Sequence, residues 1–461
     1  MIRTVRYGTA AWRRWLAGLP RASTPRPAVE RAVAGIVRAV RREGDAALLR
    51  FTERFDGVRL TPRQVRASAG EIRALARRAD VRLVAALRDM ARQIEAYHRR
   101  QLERGFRMRL ADGSLLEEVV RPLASVGLYV PGGAGAYPSS VLMNAIPARV
   151  AGVPRTLVVT PPRTLESNPA VAAALVAVGL EASVYRVGGA QAVAALAYGT
   201  KSVPAVDKIV GPGNAYVAAA KRQVRGQVGI DHEAGPSEVV VLADASADPG
   251  WVAVDLLAQA EHGSGDETVV LVTPSLALAE ETTRLVAEGL LSAANVASTR
   301  RALRHNAAVV LVRDLDQGVE AVNALAPEHV EVMAKNAAAL ARRIVGGAVF
   351  VGPYTPVAVG DYGVGPNHVL PTGGAARFSS PLSVRDFQRR QSRVRLTAAG
   401  LQRVAPGVAR VALAEGFKAH AQSVLTRFET GRVGAREGKS GAGRVAALPS
   451  PYVGRDRVGG R

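Results

Sequence analysis

Ser125-Val126-Gly127-Leu128-Tyr129-Val130, running into Pro131-Gly132-Gly133, is where this chain changes character. A short apolar run ends in a glycine loop, and a helix follows. Short apolar runs recur at residues 156–160, 183–187 and 208–210, with alanine-rich helical stretches such as 171–178 and 191–198 between them. The alternation continues at 238–242, 268–272 and 308–312. Strands alternating with helices of this length require parallel sheets joined by crossovers. The expected fold class is α/β, with two parallel-sheet modules of Rossmann-like build.

Outward from that segment the pattern differs. Residues 27–104 read as helices. Pro27 opens the first, Gly44-Asp45 looks like a stop followed by a new N-cap, and 81–104 is amphipathic with an arginine-rich polar side. Residues 106–110 and 115–120 alternate around Asp112-Gly113, a hairpin signal. After about 382 the chain reads as helical again. Beyond Gly431 it is rich in Gly, Arg and Ser, with seven cations against two anions and few core-forming residues, so a disordered basic tail is expected at 431–461.

At 461 residues the chain exceeds one ordinary core. No apolar run is long enough to span a bilayer, and the N-terminus lacks a signal-peptide core, so a cytoplasmic location is expected. With no cysteine, any transition-metal site must be built from oxygen and nitrogen. The net charge of +22 could suit nucleic acid, but the arginines are spread over the whole chain. Aromatics, at 5 %, are too few for a base-stacking platform. The composition therefore argues against a nucleic-acid partner.

Four segments carry candidate chemistry. In Asp255-Leu256-Leu257-Ala258-Gln259-Ala260-Glu261-His262, Gln259 and His262 are spaced to share a helix face, where an amide oxygen and an imidazole could converge on a metal. A solvated surface pair is the plain alternative. Ala326-Pro327-Glu328-His329 sets an acid beside an imidazole, with Pro327 placed to begin a helix. Gly360-Asp361-Tyr362-Gly363-Val364-Gly365-Pro366-Asn367-His368 reads as a loop presenting Asp361 and His368. Glu415 to His420 closes the last convincing helix. The remaining histidines, His98, His232 and His305, read as ordinary. No complete G-x-G-x-x-G follows a strand, since Pro138 stands where the third glycine after Gly133 and Gly135 belongs. Val130-Pro131-Gly132-Gly133 and Val210-Gly211-Pro212-Gly213 nevertheless each link a strand to a helix, as a phosphate-binding loop or a plain turn would.

Together with Tyr137-Pro138-Ser139-Ser140-Val141-Leu142-Met143-Asn144, Gly189-Ala190-Gln191-Ala192, Val210 to Val217 and Ala234-Gly235-Pro236-Ser237-Glu238, these segments resemble the histidinol dehydrogenase family from about residue 27 to 430. The resemblance implies NAD and zinc (Zn2+) as cofactors and L-histidinol as substrate, oxidised through L-histidinal to L-histidine in the last steps of histidine biosynthesis. It implies that Glu328 and His329 are catalytic and that Tyr129, Gln191 and Asn214 contact NAD. Gln259, His262, Asp361 and His420 match zinc ligands, with His420 supplied by the other subunit of a homodimer whose active sites are shared. Ser237, His368 and Glu415 match substrate-cradling residues, and Glu328, His329 and the zinc ligands also face substrate. The implied architecture is a first α/β module at 27–128 and 238–382, including the N-terminal helices, after an N-terminal segment 1–26. A second, NAD-binding module at 129–237 is inserted in it, and a helical dimerisation arm at 383–430 precedes the tail. Two departures from the family pattern are Gly263, where an aspartate is common, and His232-Glu233, at usually apolar positions. A related alcohol dehydrogenase and a metal-dependent hydrolase are the competing readings.

Overall fold

The computed structural model describes residues 2–20, 27–132, 137–233 and 235–429. The expected tail 431–461, Gly133, Gly135 and Ala234 lie outside the described residues. The chain forms two compact units. One holds the described residues up to Arg104 with Val120–Gln391, and the other holds Gly105–Val119 with those from Ser392 onward.

The first unit contains two sheets, each wholly parallel. The six-stranded sheet runs β1 (Arg3–Arg6), β11 (Ala307–Leu311), β10 (Thr268–Thr273), β9 (Glu238–Ala243), β12 (His329–Met333), β13 (Ala348–Val351). The five-stranded sheet runs β6 (Val184–Tyr185), β5 (Arg155–Val159), β4 (Ser125–Tyr129), β7 (Lys208–Val210), β8 (Gly229–Ile230). Apart from β1 at the edge, both have the doubly wound order. The chain starts at a central strand, builds outward on one side, then returns to build on the other.

The continuous apolar runs explain why the strands are central. In β9, β10 and β11 the even-numbered residues Val240, Leu242, Val270, Val272, Ala308 and Val310 face one core with Trp12 and Trp15. Their odd-numbered neighbours Val239, Val241, Val269, Leu271, Ala307 and Val309 face another, with Val252 and Leu256 of the helix Pro249–Ala260. Period-two side chains buried on both faces are what a parallel sheet between two helix layers demands. Each such Val or Leu contributes about 1.5–3 kcal/mol of burial. The five-stranded sheet is covered likewise, on one face by the helices Val81–Arg99 and Pro138–Ala151, and on the other by Pro27–Glu43 and Gly189–Tyr198. The N-terminal helices thus pack on the five-stranded sheet.

The second unit contains the expected hairpin up to Val119, β2 (Arg107–Arg109) antiparallel to β3 (Leu115–Pro122), turning through Gly113 at φ 82. β14 (Gln388–Arg395) lines up beside β3, and the helices Ala398–Ala414 and Lys418–Glu429 follow.

Several local expectations need correction. Arg3–Arg6 is a strand, although its single valine gave no strand signal, because the neighbouring β11 supplies the pairing. The segment after 382 is not helical at once, since β14 comes first. Gly44, at φ 57, is the N-cap of the helix Asp45–Asp56, and the Asp45 carboxylate instead accepts from the Ser202 amide and hydroxyl. The amphipathic helix ends at Arg99. Among the described residues no helix is long and apolar enough to cross a membrane.

Candidate active site

The two sheets present opposite edges to one cavity of about 180 Å³. From the five-stranded sheet come Gly211 and Pro212, just beyond the carboxyl end of β7. From the six-stranded sheet come Ser237, Glu328 and His329, at the amino ends of β9 and β12. His262, Asp361 and His368 also line it. A second cavity of about 630 Å³ also touches His329, Asp361 and His368 from the side of Tyr97 and Phe350.

Pro327 does not begin a helix. The helix Leu315–Leu325, capped by Asp314, ends at Ala326 in the left-handed conformation at φ 45, and Pro327-Glu328 leads directly into β12. The acid and the imidazole therefore stand at a strand's start, fastened by its neighbour. The Glu328 amide donates to Glu238 Oε2 at 3.2 Å, and the Glu238 amide donates back to Glu328 Oε2 at 3.0 Å. His329 Nδ1 lies 3.0 Å from the Glu238 carbonyl oxygen. Only a protonated Nδ1 can bond a carbonyl, so Nε2 is the ring atom left to take a proton. Burial pushes the His329 imidazole down to about 3, and His262 and His368 nearby act in the same direction. Burial pushes the Glu328 carboxyl well above its usual range, and Glu238 and Asp361 add to this. Burial here favours the neutral forms of both groups.

Gln259 lies in the last turn of the helix Pro249–Ala260, which Asp248 caps. His262 is just past its end, in the turn that Gly263 makes at φ 100, a conformation that suits glycine and disfavours the aspartate usual in the resemblance. The two side chains still converge, with Gln259 Nε2 3.4 Å from His262 Nδ1. Gln259 Oε1 is buried without a hydrogen-bond partner. Asp361 is not on a loop but on the short helix Val357–Tyr362, and burial raises its carboxyl to about 6. His368 does lie on a loop, with Nδ1 donating to the Asp361 carbonyl at 3.2 Å. Among the described residues no three His, Cys, Asp or Glu side chains cluster at metal-ligand spacing. Of the four expected ligands this unit holds three, the His262 imidazole, the Asp361 carboxylate and the Gln259 amide, whose Oε1 is the buried oxygen without a partner. An oxygen–nitrogen set of this kind fits a divalent ion such as zinc.

Glu415 and His420 belong to the second unit and line neither cavity. They are not on one helix: Glu415 is the C-cap of Ala398–Ala414, Gly416 turns at φ 83, and His420 is in the first turn of the next helix, Lys418–Glu429. Both are exposed, and the His420 ring stands 5.1 Å from Phe417.

The three expected cofactor contacts gather at the carboxyl edge of the five-stranded sheet. Tyr129 ends β4, and its hydroxyl accepts from the Gly189 amide at 3.0 Å. Gln191, in the helix that Gly189 opens, is buried with its Nε2 unpartnered. Asn214 caps the helix Ala215–Val224 through Oδ1, leaving its amide nitrogen to offer. The chain reverses direction in the sheet between β4 and β7, the place where open α/β sheets bind ligands. Sequence reasoning missed Asp56, which has a buried carboxylate oxygen without a partner and is pushed up to about 6 by burial. It also missed His232, which lines the cavity with Nε2 buried and unpartnered.

A family model described as histidinol dehydrogenase matches residues 19–428. A histidinol dehydrogenase of Cereibacter sphaeroides is 49 % identical over 404 residues, covering 87 % of this chain and 93 % of that protein. One of a Synechococcus strain is 48 % identical over 403 residues, covering 87 % and 92 %. The crystal structure of histidinol dehydrogenase from Elizabethkingia anophelis superposes with a TM-score of 0.86 at 32 % identity, covering 93 % of this chain and 98 % of that one.

Proposed function

Since this chain belongs to the histidinol dehydrogenase family and is an oxidoreductase, we propose that it oxidises L-histidinol through L-histidinal to L-histidine, using two NAD and one zinc ion. The observation that carries the reading is the pair Glu328 and His329, side by side at the start of β12 on a cavity that the glycine loop after β7 also walls. One oxidation needs a base for the hydroxyl proton, and the second needs a base for water. His329 Nε2 is free for the first, and Glu328 would serve the second in its carboxylate form.

When bound, NAD accepts a hydride in each oxidation, and zinc supplies a Lewis-acidic anchor for the substrate's imidazole and amino nitrogens. Tyr129, Gln191 and Asn214 would hold NAD, with Asp56 offering its unshared oxygen to a ribose hydroxyl. Gln259, His262 and Asp361 would hold zinc, with the fourth ligand, His420, coming from the other subunit of a homodimer. In the first oxidation, His329 takes the carbinol proton as the C–H bond breaks. In the second, Glu328 takes a proton from the water that adds to the aldehyde, and His329 takes one from the resulting hydrate. Ser237 and His368 border the proposed substrate space, and Glu415 would accept a hydrogen bond from the substrate's amino group, from the second unit of a neighbouring subunit. The proposal places the enzyme in the cytoplasm, at the end of histidine biosynthesis.

Exhaustive turnover of a known amount of L-histidinol should yield two NADH and L-histidine. One NADH with free histidinal would refute the two-step assignment. Chelation should abolish turnover and zinc should restore it. Gln259→Ala and His262→Ala should lower the zinc content of the purified protein while leaving its circular dichroism unchanged. Full activity in a preparation shown to be metal-free would remove zinc from the site.

A further inference from the structure

Gly211 is the first residue after β7, where the chain turns toward the proposed cofactor crevice, and it is held at both of its peptide groups. Its N–H donates to Asp231 Oδ2 at 2.7 Å. Its carbonyl accepts from Lys221 Nζ at 3.0 Å. Lys221 and Asp231 are themselves an ion pair through Asp231 Oδ1, with side chains only 3 % and 1 % exposed. Lys221 is in the second turn of the helix Ala215–Val224, and Asp231 follows β8. The pair thus ties a helix and an edge strand to one glycine. A β-carbon at Gly211 would lie 2.2 Å from the Tyr129 carbonyl oxygen, so this glycine fixes the distance between the ends of β4 and β7.

Burying two charges costs several kilocalories per ion unless geometry and further hydrogen bonds compensate. A surface pair beside the helix would stabilise the fold more cheaply. We propose that Lys221 and Asp231 are positioning residues for the dinucleotide: a neutral clamp that fixes the Gly211–Gly213 loop, and with it Asn214, at the spacing from Tyr129 that NAD requires. This inference rests on the proposed use of NAD. Because Asp231 neutralises Lys221, the ammonium is not available as a phosphate receptor, and the pair acts through the loop. Lys221 and Asp231 also line the cavity that holds Glu328 and His329, so displacing the loop alters where the nicotinamide end meets the substrate.

The test measures NADH affinity by fluorescence in the full-length protein, alongside steady-state kinetics and the thermal midpoint. Lys221→Met and Asp231→Asn should each weaken NADH binding by about tenfold or more, since a displacement of about 1 Å is worth that much in a preorganised site. The KM for L-histidinol should stay near the wild-type value, and Lys221→Arg should recover part of the loss. A merely structural pair would lower the thermal midpoint and leave NADH affinity untouched, which would overturn the proposal. Should a single variant fail to fold because one charge is left unpaired, the neutral double variant Lys221→Gln/Asp231→Asn decides, with the same loss of NADH affinity expected and wild-type affinity overturning the idea. Wild-type protein that binds NADH but makes none from L-histidinol would refute the proposed reaction and leave the clamp to be judged by binding. Wild-type protein that binds no NADH would overturn both.

Discussion

Glu328→Gln is expected to slow the oxidation of added L-histidinal by about 10²–10⁴-fold, the usual span for losing a general base. The oxidation of L-histidinol to the aldehyde should suffer less, because its hydroxyl proton goes to His329. Glutamine has the shape of the acid, and its amide oxygen can still accept from the Glu238 amide, so the fold at the start of β12 is preserved. What it loses is the ability to take a proton from water. Single-turnover measurement of NADH, starting once from the alcohol and once from the aldehyde, separates the two steps. Histidinal should accumulate with the variant when the alcohol is supplied. Equal losses in both half-reactions would mean that Glu328 supports the strand and leaves the chemistry to other groups.

Two inactive variants should restore each other. In the proposed homodimer, Gln259, His262 and Asp361 come from one subunit and His420 from the other. His262→Ala and His420→Ala subunits, each inactive alone, are mixed under conditions of exchange. The mixed dimer then has one site with both native residues and one with both lesions. Random pairing makes half the dimers mixed, each with one good site, so activity should return to about a quarter of wild type. Labelled subunits establish that exchange occurs. If they exchange and no activity returns, His420 does not complete a neighbour's site.

How far the sequence could be read depended on whether a segment's partner was local. β9 and β10 announced themselves, because a strand buried on both faces must be apolar at every position, as Val239-Val240-Val241 and Val269-Val270-Leu271 are. β1 and β14 did not. Arg3-Thr4-Val5-Arg6 and Gln388 to Arg395 are polar, and their strand character comes from backbone pairing to neighbours remote in sequence. Pro327 misled because proline is at home in the first turn of a helix, whereas here the preceding Ala326 has already closed one. The Gln259–His262 spacing was legible, and the two side chains lie close together even though the helix stops between them. The edge of each sheet that a residue occupies was not legible, nor was the exchange between Glu238 and Glu328, which are 90 residues apart. Lys221 and Asp231 belong to no motif that would single them out. The one available signal was a lysine closing the alanine run Ala218-Ala219-Ala220, where a buried helix face would be expected to continue.

Of the proposed catalytic pair, His329 opens a strand of the sheet and Glu328 stands in the bend just before it. His329 faces Val239 on one side and Ala348 on the other, within consecutive parallel ladders, and the strand between its neighbours is buried from His329 to Met333. A slip of one residue in either ladder would turn the imidazole to the opposite face. Partial opening of the molecule begins at loops and ends of elements, and Glu328, His262 and His368 stand there while the buried strand lies behind them. Heating should therefore inactivate this protein before it unfolds it: with cofactor and metal supplied in excess, activity should be lost at a lower temperature than native structure, and a single curve for both would refute this.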